Sequence, residues 1–581
     1  MKTIFIAINS QYIHTNIAVR QLNQCCIAKN YDSEFMEFNI NLDMTGVLSE
    51  IINKSPDIIG FSCYIWNIEY ILKLCEDIKL IKPDTIIILG GPEVSFNAQD
   101  ILSKYTYIDY IACGEGEEMM PELIGYIEDI NKGKTDKIIP DGVYYRNKNK
   151  IIGRGYRIIE NLAQLPFPYS DDELNNPNGR IFYYEASRGC PFSCSYCLSS
   201  AVKGVREIPI DMVEKQLDKF IHANVPLVKF VDRTFNCNRK RAIQIIQYIS
   251  KAQCDTCFHF EIGADLLDDD MINLLNSVPK GRIQFEAGVQ SANDKVLEKV
   301  CRKTNIEKLL NNVKRVMDSG RMHIHLDLIA GLPGEDMQSF AMSYNTVMTV
   351  RPHNLQLGFL KLLYGSSLRN QADKLGLIYR NYAPYEILQS NEITAKELLW
   401  LKQMENIHQI YYNSGKFIFS YGYLLDRADE ISFSNRFKNA FGLLDELTIF
   451  ISNVSVNKVL SYKDRFDLLY KFAQKYLDIK QLYIFKVLLR CDYLSNPAKG
   501  NPPEEIKSFA DINEISEKVR ELKRQAVITS SQARRAKFDI FPMNPFTLED
   551  NKTLIMFDSD KKDKLTGRAE MNIYSGFCDI M

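Results

Sequence analysis

The stretch Arg188-Gly189-Cys190-Pro191-Phe192-Ser193-Cys194-Ser195-Tyr196-Cys197 places three cysteines, spaced C-x3-C-x2-C, on a loop after the strand candidate Phe182–Ala186. Thiolates this close together can wrap one small inorganic cluster. A [4Fe–4S] cluster normally takes four thiolates, so three leave one iron open to an external chelator. A structural zinc site wants four closed ligands, and no fourth cysteine or histidine lies nearby in the sequence. Cys190, Cys194 and Cys197 are therefore the expected metal ligands.

Outward from this loop, residues 181–370 alternate strands with helical patterns. The strand candidates are Phe182–Ala186, Leu227–Asp232, Phe258–Ile262, Ile283–Glu286, His323–Ile329 and Leu355–Leu360. Each ends in a polar or glycine-bearing turn before the next helix, which predicts a partial (β/α)6 barrel. In barrels the chemistry sits on loops leaving the C-terminal ends of the strands. The cysteine loop, Asp232, Glu261, Gln290 and Gly331 all fall there.

The cysteine spacing, with an aromatic residue before the last cysteine, resembles the signature of the radical S-adenosylmethionine superfamily. Val231-Asp232-Arg233-Thr234-Phe235-Asn236 is similar to the second-strand motif of that family, although Arg233 stands where a second Asp is commoner. Phe285-Glu286-Ala287-Gly288-Val289-Gln290-Ser291 resembles its fourth strand and Leu328-Ile329-Ala330-Gly331-Leu332-Pro333-Gly334-Glu335 its fifth. The resemblance implies that S-adenosylmethionine chelates the open iron. The reduced cluster then cleaves it to methionine and a 5′-deoxyadenosyl radical, which takes a hydrogen atom from a small-molecule substrate. It also implies an external one-electron donor such as flavodoxin or ferredoxin. Gln290, Ser291 and Arg302 are expected at the ribose and methionyl ends of S-adenosylmethionine, where the planar fork of Arg302 suits a carboxylate. Tyr196 and the Leu328–Gly331 strand, with Ile329 and Gly331, are expected along the adenine, and Asp232, Glu261 and Glu286 elsewhere around the cofactor.

Residues 1–150 read as a doubly wound, Rossmann-like α/β domain. Its strand candidates are Thr3–Asn9, Glu34–Phe38, Asp57–Phe61, Thr85–Leu89 and Asp109–Cys113, with helical patterns such as Ile68–Leu80 and Glu117–Ile130 between them. Ser62, Gly90-Gly91 and Gly114-Glu115-Gly116-Glu117 follow the strands, where such sheets bind ligands. Their placement resembles the cobalamin-binding class of the superfamily. The D-x-H-x-x-G loop of that class is absent; the corresponding turn is Asn9-Ser10-Gln11-Tyr12-Ile13-His14-Thr15-Asn16, whose His14 reads more readily as a surface or capping residue. Two alternatives stay open: a cobalamin site around Ser62, Gly90 and Gly91, or a fold that has lost the cofactor.

Residues 151–180 form the expected linker, an extended strap around Leu165-Pro166-Phe167-Pro168. Beyond residue 371 a mostly helical domain is expected, with helices over Glu392–Tyr412 and Arg465–Arg490 and a hairpin of Thr553–Asp558 with Glu570–Tyr574. Lys518, Arg520, Lys523, Arg524, Arg534, Arg535 and Lys537 read as a solvated helix face, interrupted by Glu517 and Glu521.

With 46% apolar and 25% charged residues the chain is a folded multi-domain protein and not a disordered one. A net charge of −2 gives no global pull toward nucleic acid or membrane. No apolar run reaches the ~18 residues of a membrane span, so a cytoplasmic location is expected. Cys25, Cys26, Cys63, Cys75, Cys113, Cys237, Cys301, Cys491 and Cys578 read as inert buried thiols, and Cys254-Asp255-Thr256-Cys257 lacks the partner pair of a second metal site. The favoured activity is a radical lyase on a small molecule, such as a modified deazapurine base of the queuine type. The alternative is a cobalamin-dependent radical methyltransferase.

Overall fold

A computed structural model describes residues 1–575 apart from 135–136, 149, 455–458 and 497–501. Cys578 lies outside the described residues.

The first domain is a seven-stranded sheet in the order β2-β1-β3-β4-β5-β6-β7. Strands β1 (Thr3–Asn9), β2 (Ser33–Asn39), β3 (Ile58–Ser62), β4 (Ile86–Gly90) and β5 (Tyr110–Ala112) run parallel. The antiparallel hairpin β6 (Val143–Asn147) and β7 (Lys150–Gly153) extends the β5 edge. Every residue of β1 is buried because helices cover both faces of the sheet. Helices α1 (Ile17–Ala28) and α5 (Gly116–Asn131) pack Val19, Met120 and Leu123 against Phe5, Ile88 and Ala112. On the other face, α2 (Met44–Asn53), α3 (Ile68–Ile81) and α4 (Ala98–Lys104) cover Ile4, Ile6, Phe61 and Leu89.

The second sheet has six parallel strands in the order β15-β14-β13-β12-β11-β8. They are β8 (Phe182–Tyr184), β11 (Leu227–Phe230), β12 (Cys257–Glu261), β13 (Ile283–Gln290), β14 (His323–Ala330) and β15 (Asn354–Phe359). The edges β8 and β15 do not pair, so the barrel is partial. Alternation sets its two faces. Ile283, Phe285, Ala287 and Val289 of β13, with Ile324, Leu326, Leu328 and Ala330 of β14, are buried against the helices. Gln284, Glu286 and Gln290, with His323, His325 and Asp327, take the opposite face, toward the interior. Between β8 and β11 a hairpin, β9 (Ser187–Cys190) and β10 (Gly204–Glu207), carries the cysteine loop.

The domains are tied through buried charge. Arg20 of α1, 2% exposed, pairs with Glu37 (2.7 Å) and with Glu173 of the strap (2.8 Å). Glu37 also takes Arg180 at 2.7 Å, and Thr15 donates to the carbonyl of Ile181.

Beyond the barrel the chain is mainly helical, and two details differ from expectation. Arg465–Arg490 is two helices, Tyr462–Tyr476 and Ile479–Ser495, because Asp478 accepts from the Gln481 amide (2.8 Å) and caps the second. The expected C-terminal hairpin gains a third strand, Lys537–Phe541, so Lys537 sits on a sheet and not on a helix. Among the thiols, Cys26, Cys63, Cys75, Cys113 and Cys491 are buried, whereas Cys25 and Cys237 are half-buried and Cys301 is exposed. Among the described residues no helix is long and apolar enough to cross a membrane.

Candidate functional site

The cysteine loop is pinned through its backbone. The Ser195 amide donates to the carbonyl of Val300 and the Leu368 amide to that of Ser195, each at 2.9 Å. Cys190 Sγ lies 3.5 Å from Thr234 Oγ1, and the Cys197 amide donates to the Cys194 carbonyl at 3.1 Å. Cys194 is buried, with Arg302 Nη1 at 3.8 Å from its sulfur. Burial pushes this thiol up while the Arg302 guanidinium works against the shift. Three soft donors on one rigid loop suit an iron–sulfur cluster.

A cleft of about 140 Å³ opens beside Cys194, lined by Glu261, Glu286, Gly288, Gln290, Arg302 and Asp327 among others. It is built on a bulge in β13, where the register with β14 shifts between Gly288 and Gln290. Gln290 takes φ +71°, a left-handed conformation that costs a non-glycine residue about 1 kcal/mol or more. Arg302 Nη2 donates to the Gly288 carbonyl and Nη1 reaches Tyr196 Oη at 3.4 Å. Buried Arg302 Nε and Gln290 Oε1 have no partner. Both residues line the cleft, and an unsatisfied donor and acceptor on them fit a ligand bearing both a carboxylate and hydroxyls, as S-adenosylmethionine does. Burial pushes the Glu261 carboxyl up to about 7, with the Arg233 charge opposing. Glu286 is held below its ordinary value by a hydrogen bond from His259 (Nε2 to Oε2, 3.3 Å).

Other expected residues sit elsewhere. Ser291 faces away from the cleft: its hydroxyl donates to Glu335 (2.6 Å) and lies 3.3 Å from that of Ser343. This follows from strand alternation, which turns consecutive residues to opposite faces and continues past Gln290. Asp232 is also buried outside the cleft. It accepts from the Ala186 amide (3.0 Å) and Ser187 Oγ (2.5 Å), and burial raises its carboxyl to about 7. It clamps the cysteine hairpin to β11. Ile329 and Gly331 do not line the cleft; Gly331 packs beneath Ile387. Asp327 does line it and was missed, although it lies two residues before Ile329 on the same strand face.

A second cavity, of about 370 Å³, lies at the C-terminal ends of the first sheet. Its floor is small: Gly60, Ser62, Gly90, Gly91, Ala112, Gly114 and Gly116. Glu185, Arg188 and Arg233 supply a wall from the barrel side. Gly91 is required by the turn itself, since at φ +103° its Cβ would stand 2.6 Å from the Cys63 carbonyl oxygen. A Cβ at Gly90 would meet Ala112 at an ordinary 3.7 Å. The small residues at the strand ends leave backbone along one side of the cavity, which fits a flat ligand or tail lying against it. No histidine lines it; His14 is held at the domain junction with Nδ1 2.7 Å from Tyr183 Oη. Across the junction Arg188, two residues before Cys190, pairs with Glu117 (2.7 Å), Glu185 (2.6 Å) and Glu115 (3.2 Å).

Residues 3–124 match the B12-binding domain family and residues 184–347 the radical SAM superfamily. The chain carries a B12-binding domain followed by a radical SAM domain. Residues 373–557 match a protein family of unknown function, DUF4080. The cobalamin-dependent radical SAM methyltransferase TokK of Streptomyces tokunonensis is 24% identical over 316 residues, covering 51% of this chain and 46% of TokK. The 2-(S-pantetheinyl)-carbapenam-3-carboxylate methyltransferase of Streptantibioticus cattleyicolor is 24% identical, with the same coverages. The chain thus spans about half the length of these curated relatives. Among solved structures, the cobalamin-dependent S-adenosylmethionine radical enzyme OxsB with aqua-cobalamin bound superposes with a TM-score of 0.56 at 14% identity, over 91% of this chain and 82% of OxsB. TsrM from Kitasatospora setae, a radical S-adenosylmethionine methyltransferase, gives 0.53 at 15% identity, over 65% and 77%. These likenesses show the shared fold of Rossmann-like domain and barrel.

Proposed function

We propose that the protein is a cobalamin-dependent radical S-adenosylmethionine methyltransferase acting on a small molecule. The observation that carries this reading is the shared wall between the two cavities. Arg233 lines both the glycine-floored trough and the cleft beside Cys194, so groups held in the two places would face one space between the domains. When bound, the [4Fe–4S] cluster and S-adenosylmethionine supply a radical and methylcobalamin supplies a methyl group. Cys190, Cys194 and Cys197 would hold the cluster, with reduction by a donor such as flavodoxin or ferredoxin. Arg302 and Gln290 would orient the methionyl and ribose ends of S-adenosylmethionine through their free Nε and Oε1. Ser62, Gly90 and Gly91 would admit the corrin tail. The first domain is tied to the linker by Arg20 and Glu37 and to the barrel by Arg188, which fixes the two cavities relative to one another.

A bond-cleaving reaction would need only the cluster and S-adenosylmethionine. The glycine-floored trough and the methyltransferase relatives favour transfer over it. The test is product analysis of anaerobically reconstituted enzyme with cobalamin, S-adenosylmethionine, reductant and candidate substrates. Transfer yields 5′-deoxyadenosine together with S-adenosylhomocysteine. Formation of 5′-deoxyadenosine and a cleaved substrate without S-adenosylhomocysteine would return the activity to the lyase class.

A further inference from the structure

We propose that Arg233 is the receptor for an anionic group, a carboxylate or phosphate, on the substrate that enters between the trough and the cleft; this rests on the assignment of those two cavities to the cofactors.

Arg233 follows β11 and lines three cavities at once: the trough, the cleft and a smaller pocket at the rim between them. Its side chain is exposed to this space. The loop that presents it is rigid on both sides. Asp232 is bound to Ala186 and Ser187, Thr234 contacts Cys190, and Asn236 exchanges two 2.9 Å hydrogen bonds with the backbone of Gly263. A guanidinium on so fixed a stem loses little entropy on gripping a ligand.

Most of the carboxylates around it already have a cationic partner. Glu115 is taken by Arg206 (2.6 Å) and Arg188, and Glu117 and Glu185 by Arg188. In the cleft Glu286 accepts from His259, and Asp327 lies 3.1 Å from His325. Glu261 feels the Arg233 charge but is not within ion-pairing distance. Among the described residues, the Arg233 guanidinium has no ion pair or hydrogen bond; only its backbone carbonyl is engaged, accepting from Thr234 Oγ1 at 2.8 Å. A guanidinium left unpaired at the junction of two cavities gains most when a ligand brings the anion, because carboxylate and phosphate match its fork bidentately.

The experiment is calorimetric titration of cluster-reconstituted protein, preloaded with hydroxocobalamin and S-adenosylmethionine, using inorganic pyrophosphate and succinate as probes. At least one probe should bind wild type, with affinity about tenfold weaker in Arg233→Gln and partly restored in Arg233→Lys. The dissociation constants for S-adenosylmethionine and hydroxocobalamin are measured in both variants, because Arg233 also lines both cofactor cavities, and the probe's loss should exceed any change in either. Failure of both probes to bind wild type overturns the proposal, as does equal binding to Arg233→Gln. S-adenosylmethionine weakened as much as the probe would assign the guanidinium to the methionyl carboxylate, and hydroxocobalamin weakened as much to the corrin phosphate; either overturns it. These readouts do not involve turnover, so failure of the methyltransferase reading shows separately, as missing S-adenosylhomocysteine.

Discussion

The two parallel sheets place their ligand-facing residues at the same ends of their strands but build their sites in opposite ways. In the first sheet, helices cover both faces, and the cavity runs from the strand ends in between Phe5 and Ile88 of the strands and Val19, Leu22 and Met120 of the helices. There the lining is largely apolar and includes Gly60, Gly90, Gly91 and Gly114. In the barrel only the outer face is covered. Its inner face projects Glu286, Gln290, His325 and Asp327 from alternate positions, and the site is made of long polar groups. One site is a shape, and the other is a set of hydrogen-bonding partners.

This contrast predicts that the two sites fail independently, with complete losses of different kinds. Cys194→Ala should abolish iron retention and reductive cleavage of S-adenosylmethionine while leaving corrin binding intact. Gly90→Leu should do the reverse, because its Cβ is tolerated and only the added bulk fills the trough. Iron content and corrin absorbance after gel filtration of both variants check this; joint loss of both cofactors from either variant would break the comparison. Gly91 is a poorer place for the test, since any side chain there disrupts the turn against Cys63.

A smaller, graded effect is expected within the polar site. Arg302→Ala should weaken S-adenosylmethionine by about tenfold or more, the usual loss for a charge-assisted hydrogen bond. Equilibrium binding to the reconstituted protein measures it. An unchanged dissociation constant would move the methionyl end away from the β13 bulge.

An effect on stability, and not on binding, lies behind that bulge. Burial pushes the Glu335 carboxyl up to about 8, although Ser291 and Ser343 donate to it. The folded state then keeps a proton that the unfolded chain gives up at the ordinary carboxylate value. Stability should therefore fall as pH rises from about 4.5 toward 8, by at most about 1.4 kcal/mol per pH unit from this group. Glu335→Gln accepts the same hydrogen bonds without titrating and should flatten the dependence. Urea midpoints at pH 6 and pH 8 compare the two proteins.

The five parallel strands of the first sheet and the six of the barrel are legible in the sequence, because apolar strand runs, helical periodicity and turn glycines are local signals; that the β6–β7 hairpin joins the first sheet is not. The cysteine loop, with three cysteines within eight residues, and the small residues Ser62, Gly90 and Gly91 are likewise legible there as candidates. Tertiary structure decided which polar residues share a cleft. Glu261 comes from β12, Glu286 and Gln290 from one face of β13 and Arg302 from a later loop, so only packing brings the four together. The same holds for His14, whose ring is claimed by Tyr183 from 169 positions away, and for Arg233, whose lack of a partner is visible only once Arg188 and Arg206 have taken the neighbouring carboxylates. Spacing along the chain specifies backbone geometry within an element. Which charges meet, and which is left over, depends on how separate elements pack.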